Sequence, residues 1–198
     1  MSTQFDVVIA GAGVSGLLIA SELSTQKKVL VIETKKELQT TKYWVTLKSC
    51  MESDTELIAF VDTYFKHMDF ADTHQNKFRL KGDYALWNTI SLMGYLKQKI
   101  LRNNGEIKFD QRFCSYKTKT NAIEIFANDQ CYTAKLFIDC MGYNSPLILA
   151  KDMIRFKGFY LLYGAKLKLK QAIDPICLSN VMLHKSPKYF EVFPCSKG

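Results

Sequence analysis

Residues 5–16 have the sequence FDVVIAGAGVSG, and this stretch decides the fold of the chain. An apolar run ends in three glycines with the spacing GxGxxG, and a second apolar stretch, residues 17–23, follows directly. The pattern predicts a strand, a tight turn and a helix. Glycines in such a turn let backbone N–H groups approach a pyrophosphate, whose charge the helix N-terminus favours. The candidate pyrophosphate-binding residues are Gly11, Ala12, Gly13, Val14, Ser15 and Gly16.

A second apolar run, Val29 to Ile32, ends on Glu33. An acidic side chain at the end of the strand after a glycine turn suits the hydroxyl groups of a ribose. The glycine turn and Glu33 together therefore predict one half of a dinucleotide site. Because Glu33 suits the ribose of either dinucleotide, this motif alone leaves NAD and FAD open.

The composition is that of a soluble globular protein, with 47% hydrophobic and 23% charged residues in a chain of 198. This length suits one domain or one and a half. No apolar run approaches the roughly 20 residues of a transmembrane helix, and residues 1–10 lack the pattern of a signal peptide. We therefore expect a cytoplasmic protein.

The six cysteines include no CxxC pair, and the three histidines add no metal-ligand spacing, so we expect reduced thiols and no metal site. The net charge of +8 comes mostly from scattered lysines, which argues against nucleic-acid binding. Lys166, Lys168 and Lys170 alternate along one predicted strand face. That face is either solvated surface or a region that attracts an anionic substrate or membrane surface.

The remaining pattern predicts further strands around one long helix. Residues 34–42 form a polar loop before a strand at 43–45, and residues 49–85 suggest short strands and loops. Asn88 has the features of an N-cap for a helix that Asn103-Asn104-Gly105 ends. Strands are then predicted at 107–109, 113–116, 123–127, 131–135 and 136–140, of which the second to fourth form an antiparallel meander.

These pieces resemble the FAD-binding fold shared by aromatic hydroxylases, flavin halogenases, geranylgeranyl reductases and plant-type lycopene cyclases. The glycine turn with Glu33 carries the resemblance, and the segment IDCMGYNSP, residues 138–146, is similar to the family's D-A-x-G-x-x-S segment. The resemblance implies FAD as the cofactor, with Asp139 and Gly142 near it. It also implies that Lys42 and Trp44 approach the flavin ring.

The implied fold class is α/β, with an FAD/NAD(P)-binding Rossmann-like domain that includes a β-meander, plus part of a β-rich substrate domain. The FAD-binding domain would comprise residues 1–44 and 86–150, and the partial substrate domain would comprise residues 45–85 and 151–198. The family's late G-D-A motif, which supports the flavin side of the pyrophosphate, is not found in this sequence. We therefore expect the chain to correspond to part of a longer flavoprotein.

The segment YFEVFP, residues 189–194, is similar to the Y-x-W-x-F-P segment of geranylgeranyl reductases, although Glu191 replaces the tryptophan. This similarity implies that Tyr189 and Phe193 line a cavity for a lipophilic, isoprenoid-type substrate. The first expectation is thus an FAD-dependent oxidoreductase that reduces double bonds, with an unknown electron donor and room for peripheral membrane contact. A lycopene-cyclase-like or hydroxylase flavoprotein is an alternative, with hydroxylation placed lower because Trp87 stands where that branch often has an arginine. A non-catalytic dinucleotide-binding fragment is a further alternative. No catalytic residue is identified.

Overall fold

The computed structural model describes residues 3–40, 43–51, 55–71, 77–150, 176–183 and 186–192. Two units divide the chain, Met1–Thr41 with Ile90–Phe159 and Lys42–Thr89 with Tyr160–Gly198. In chain order the elements are β1 (Thr3–Ala10), α1 (Val14–Leu23), β2 (Val29–Ile32), β3 (Val45–Leu47), β4 (Val61–Ala71), β5 (Lys77–Trp87), α2 (Thr89–Arg102), β6 (Glu106–Lys108), β7 (Phe113–Thr118), β8 (Ile123–Ala127), β9 (Gln130–Asp139), α3 (Pro146–Ala150), β10 (Ile176–Leu183) and β11 (Ser186–Val192).

The first unit is built on a six-stranded sheet with the order β6-β2-β1-β9-β8-β7. Strands β6, β2, β1 and β9 are parallel, and β8 and β7 continue the sheet in antiparallel fashion. All four residues of β2 are buried, as expected for a parallel strand that is covered on both faces. The sheet therefore has the mixed α/β character that the sequence predicts.

Alternation along β1 divides its side chains between two layers. Val8 and Ala10 belong to a buried cluster with residues of the meander strands β7, β8 and β9, including Phe113 and Ile125. Val7 and Ile9 lie on the other face and are also buried. Burying a large aliphatic side chain stabilises the folded state by about 1.5–3 kcal/mol, so this central strand contributes to the core on both of its faces.

The two long helices have clear local signals at their ends. Helix α1 begins at Val14, earlier than the apolar stretch from residue 17 suggests, because Gly13 is extended and its carbonyl accepts the Leu17 N–H at 2.9 Å. Helix α2 ends where Asn104 adopts a left-handed φ of 59° and the Gly105 N–H donates to the Ile100 carbonyl at 2.9 Å. The Asn-Asn-Gly stop is therefore confirmed.

Strand β9 corrects the sequence prediction of two separate strands at 131–135 and 136–140. It is one strand of ten residues, which pairs with β8 through residues 130–134 and with β1 through residues 132–139. The residues on either side of the junction between Lys135 and Leu136 include no glycine, proline or other turn-forming residue, so nothing interrupts the strand. The last strand of the meander and the strand beside β1 are thus the same element.

The second unit contains a five-stranded sheet with the order β11-β10-β4-β5-β3. Its centre is a long hairpin of β4 and β5, each of eleven residues, where the sequence suggested only short strands and loops. The apolar piece 57–60 is a 3-10 turn and not part of a strand. In the hairpin core the Phe65 and Tyr84 rings stack with centroids 5.4 Å apart, beside the buried Leu86. None of the helices in the described ranges is long and apolar enough to cross a membrane.

Candidate functional site

The candidate site lies where the carboxyl ends of β2, β1 and β9 meet. Ala10 is in register with Ile32 on one side and with Asp139 on the other. The chain leaves β1 for β2 on one side, while β9 joins β1 on the other, so β1 marks a topological switch point in the sheet. Ligands of open α/β sheets bind in the crevice at such a point.

Two of the three glycines are required by the packing of the turn itself. Gly11 has a φ of 104°, and a Cβ atom there would overlap the carbonyl oxygen of Cys140. A Cβ atom on Gly16 would overlap the carbonyl oxygen of Gly11 and lie 3.3 Å from the Cys140 Cβ. Both positions therefore tolerate only glycine, because the obstructing atoms are backbone.

Gly13 differs from these two glycines because the space around it is open. A Cβ atom at this position would have no heavy atom within 4 Å, and the residue is exposed at the start of α1. The first turn of α1 contains no acidic side chain that would repel an anion. Its backbone N–H groups and the helix dipole thus form a surface that favours a phosphate.

The Glu33 carboxylate is fixed beside this turn by two backbone donors. The Ala12 N–H donates to Oε2 at 2.8 Å, and the Lys35 N–H donates to Oε1 at 2.9 Å. The main chain is also held, since the Gln111 N–H donates to the Glu33 carbonyl at 2.8 Å. A carboxylate has about four lone-pair sites, so both oxygens retain capacity to accept ribose hydroxyl groups.

The second loop of the site, residues 140–145 after β9, is organised by its own side chains. The Met141 N–H donates to Asp139 Oδ1 at 2.9 Å, and the Ser145 hydroxyl donates to Asp139 Oδ2. Ser145 is fully buried, and its oxygen accepts the Leu147 N–H at 3.2 Å. Gly142 supplies a left-handed φ of 72°. Asp139 therefore shapes its own loop, and a contact of Asp139 or Gly142 with a cofactor remains a prediction.

Cys140 is the first residue of the second loop and does not have the properties of a reactive thiol. Burial, followed by the nearby Asp139 carboxylate, raises the pKa of the Cys140 thiol above its usual range. Thiolates are the nucleophilic form of cysteine, so a raised pKa disfavours reactivity. Its N–H donates to the Ala10 carbonyl at 2.8 Å, which indicates a role in packing.

Several predicted site residues cannot be placed in this crevice. Lys42 and Phe193 lie outside the described residues, and Tyr189 lies in β11, of which only the backbone is described. Trp44 belongs to the second unit, where its carbonyl accepts the Trp87 N–H at 2.9 Å. Lys166, Lys168 and Lys170 also fall outside the described ranges. Within those ranges, no group of three His, Cys, Asp or Glu side chains is arranged to hold a metal ion.

Ser145 belongs to the segment that resembles the family pattern, but the sequence alone predicted no role for it. The signal was present, because serine follows Asp139 at the spacing D-x-x-G-x-x-S. The Ala12 to Glu33 hydrogen bond had no such signal, since it joins residues that are 21 positions apart and follow the ends of two different strands.

The sequence matches no family model and no curated protein, but its structure is similar to several solved structures. Halogenase PltM in complex with phloroglucinol and FAD is 15% identical with a TM-score of 0.58, over 74% of this chain and 36% of that one. The p-nitrophenol 4-monooxygenase PnpA from Pseudomonas putida DLL-E4 is 13% identical with a TM-score of 0.64, over 75% of this chain and 43% of that one. The tetracycline destructase Tet(51) is 16% identical with a TM-score of 0.53, over 79% of this chain and 42% of that one.

The chain has an FAD-binding Rossmann-like fold. It spans about two fifths of the length of these similar chains. The predicted fold class is confirmed. None of these three structures is described as a geranylgeranyl reductase or a lycopene cyclase.

Proposed function

We propose that this chain binds the adenosine diphosphate part of FAD and serves an FAD-dependent enzyme of the monooxygenase or halogenase type. The observation that carries this proposal is one arrangement within the first unit. The open N-terminus of α1 at Gly13 lies beside the Glu33 carboxylate, which is held in place by the Ala12 N–H. N–H donors for a phosphate and a carboxylate acceptor for ribose hydroxyl groups thus lie next to each other.

Each residue of the turn has a separate task in this proposal. The N–H groups at the start of α1 bind and orient the pyrophosphate, and Gly13 allows its close approach. Glu33 accepts the ribose hydroxyl groups, and its negative charge disfavours a ribose that carries a phosphate. Gly11 and Gly16 keep the turn closed against the Cys140 loop. The redox chemistry is supplied by the flavin when it is bound.

An aromatic compound is the substrate class that we propose for the whole enzyme. Two similar structures support it by name, since PltM was crystallised with phloroglucinol and PnpA is a p-nitrophenol 4-monooxygenase. Both compounds are phenols. This proposal replaces the isoprenoid substrate as the first candidate, and the hydroxylase reading becomes the main one.

FAD titration tests the binding proposal directly. We expect the purified chain to quench flavin fluorescence in a saturable way, and Gly13→Val to raise the Kd for FAD at least tenfold by filling the open surface. Gly94→Ala is the matched control, because Gly94 in α2 also has open space around its Cβ position but lies outside the site. Failure of the unaltered chain to quench, or equal losses in both variants, would overturn the proposal. Tighter binding of NADH or NADPH than of FAD would also overturn it.

Once FAD binding has been established, the reaction class is tested by measuring the mass of the product. Incubation with a phenol, a reduced nicotinamide and air should add one oxygen atom to the phenol, or one halogen atom when halide is required. A gain of two hydrogens on a prenyl substrate instead would restore isoprenoid reduction. FAD binding without turnover of either substrate would favour the non-catalytic fragment.

A further inference from the structure

The β4–β5 hairpin of the second unit carries a shallow groove of about 460 Å³, which no step of the proposed function uses. We call it the hairpin groove. Its lining residues are Lys66, His67, Arg79, Lys81, Gly82 and Asp83. Four of these six residues, Lys66, His67, Arg79 and Lys81, have side chains of basic type.

The groove coincides with an irregularity in the strand pairing. Phe65 pairs with Tyr84 and His67 pairs with Lys81, so Gly82 and Asp83 together stand opposite Lys66 alone. This is a β-bulge, which bends the strand and re-aims side chains, and bulges are over-represented next to binding sites.

A pair of packed aromatic rings lies beneath the bulge. A Cβ atom on Gly82 would lie 3.1 Å from Cε2 of Tyr84, so this position has little room for a side chain. The Tyr84 ring is buried and stacks on Phe65 with an interplanar angle of 18°. The backbone at the bulge therefore lies against a buried, stacked aromatic pair.

The lining of the groove contains more basic than acidic side chains, and one of the basic groups is held in place by an ion pair. Asp69 holds the Arg79 guanidinium through two hydrogen bonds, from Nε at 2.6 Å and from Nη2 at 2.8 Å. His67 lies directly opposite Lys81, and Lys66 adjoins this pair. Asp83 supplies the single carboxylate of the lining. Asp69 is not part of the lining and is engaged with Arg79.

We propose that the hairpin groove binds the oxyanion group, carboxylate or phosphate, of a small molecule. Lys66 and Lys81 supply mobile positive charges, and the guanidinium fixed by Asp69 supplies an oriented one. The bulge opens the space in which the anion lies against the backbone of Gly82. This site goes beyond the proposed function, because the glycine turn belongs to the other unit.

The test is a titration of the full chain, labelled with ¹⁵N, with inorganic phosphate and separately with benzoate at constant ionic strength. We expect saturable amide shifts at Gly82 and its neighbours. The double variant Lys66→Gln, Lys81→Gln should weaken this binding at least fivefold. Its matched control is Lys27→Gln, Lys117→Gln, which removes the same charge from exposed positions of the first unit and should leave the affinity unchanged. Tighter binding of benzoate would identify a carboxylate as the ligand group, and tighter binding of phosphate would identify a phosphoryl group.

Three outcomes would overturn the proposal. The first is the absence of saturable shifts at the groove with both anions. The second is an equal loss of affinity in the two double variants, because that would reflect net charge only. The third is binding of a single-stranded RNA at the groove while phosphate and benzoate do not bind. None of these readouts requires FAD, so the site is tested separately from the glycine turn.

Discussion

The turn after β1 and the loop after β9 lie side by side at the same edge of one sheet, yet they are held in opposite ways. The first is held by missing side chains, since Gly11 and Gly16 let backbone atoms come into contact. The second is held by side chains that are present, because Asp139 and Ser145 bind the loop's own N–H groups and each other.

This difference indicates which loop recognises a ligand and which supports it. The glycine turn leaves open space at Gly13, the residue that precedes the first turn of α1. In the second loop, both oxygens of Asp139 accept hydrogen bonds from the loop itself. In the proposed function, recognition of the cofactor therefore falls to the first loop and support to the second.

The largest expected effect is that of Gly16→Ala. The added methyl group would overlap the Gly11 carbonyl oxygen, so the backbone must shift, and the free energy of unfolding should fall by about 3 kcal/mol. Urea denaturation measures this change. The control is Gly94→Ala, a helical glycine with open space, which should be neutral or stabilising by about 1 kcal/mol. Equal stability of the two variants would show that the first loop does not depend on missing side chains.

A smaller loss is expected for Ser145→Ala. This change removes the hydroxyl group that donates to Asp139 and accepts from the Leu147 N–H, so the free energy of unfolding should fall by about 2 kcal/mol. Thermal or urea denaturation would detect the change. Ser15→Ala provides the comparison from the glycine turn, because Ser15 is exposed. If both serine variants were equally stable, the second loop would not depend on its side chains.

The smallest expected effect concerns the reactivity of Cys140. Burial and the Asp139 carboxylate raise the pKa of its thiol, so its thiolate is scarce, and iodoacetamide at pH 8 should modify it more slowly than the exposed Cys114. The expected ratio of rates is about tenfold, which corresponds to about 1.4 kcal/mol. Peptide mass spectrometry after timed labelling gives both rates. Similar rates would mean that the two loops separate readily in solution.

The sequence predicted the parallel centre of the first unit because its signals are local. The apolar run Val29 to Ile32 and the glycine spacing each specify an element without reference to distant residues. The continuity of β9 was missed because β8 pairs only with its first half while β1 pairs with most of its length, and pairing partners are not visible in a local pattern.

The hairpin of the second unit shows a different reason for failure. Polar residues such as Asp69, Arg79 and Lys81 interrupt its apolar alternation, and the bulge at Gly82 shifts the register. A pattern of period two cannot be followed through such a shift. The basic groove was therefore missed together with the strands that form it.

For the candidate site, the sequence supplied the residues but not their relations. Glu33 was expected at the end of its strand, and it lies there. Its contact with the Ala12 N–H depends on the approach of two strand ends, and the closure of Gly11 depends on the Cys140 carbonyl. Both contacts come from tertiary packing, which a spacing of residue types does not contain.

The pairing of β1 with β9 also sets an order of events during synthesis. Ala10 and Asp139 are in register although they are about 130 positions apart, so this pairing is strongly non-local and is expected to form slowly. The glycine turn is synthesised well before the backbone of residue 140 that closes it. Until β9 is made, β1 has an exposed edge, to which chaperones can bind and at which aggregation can begin.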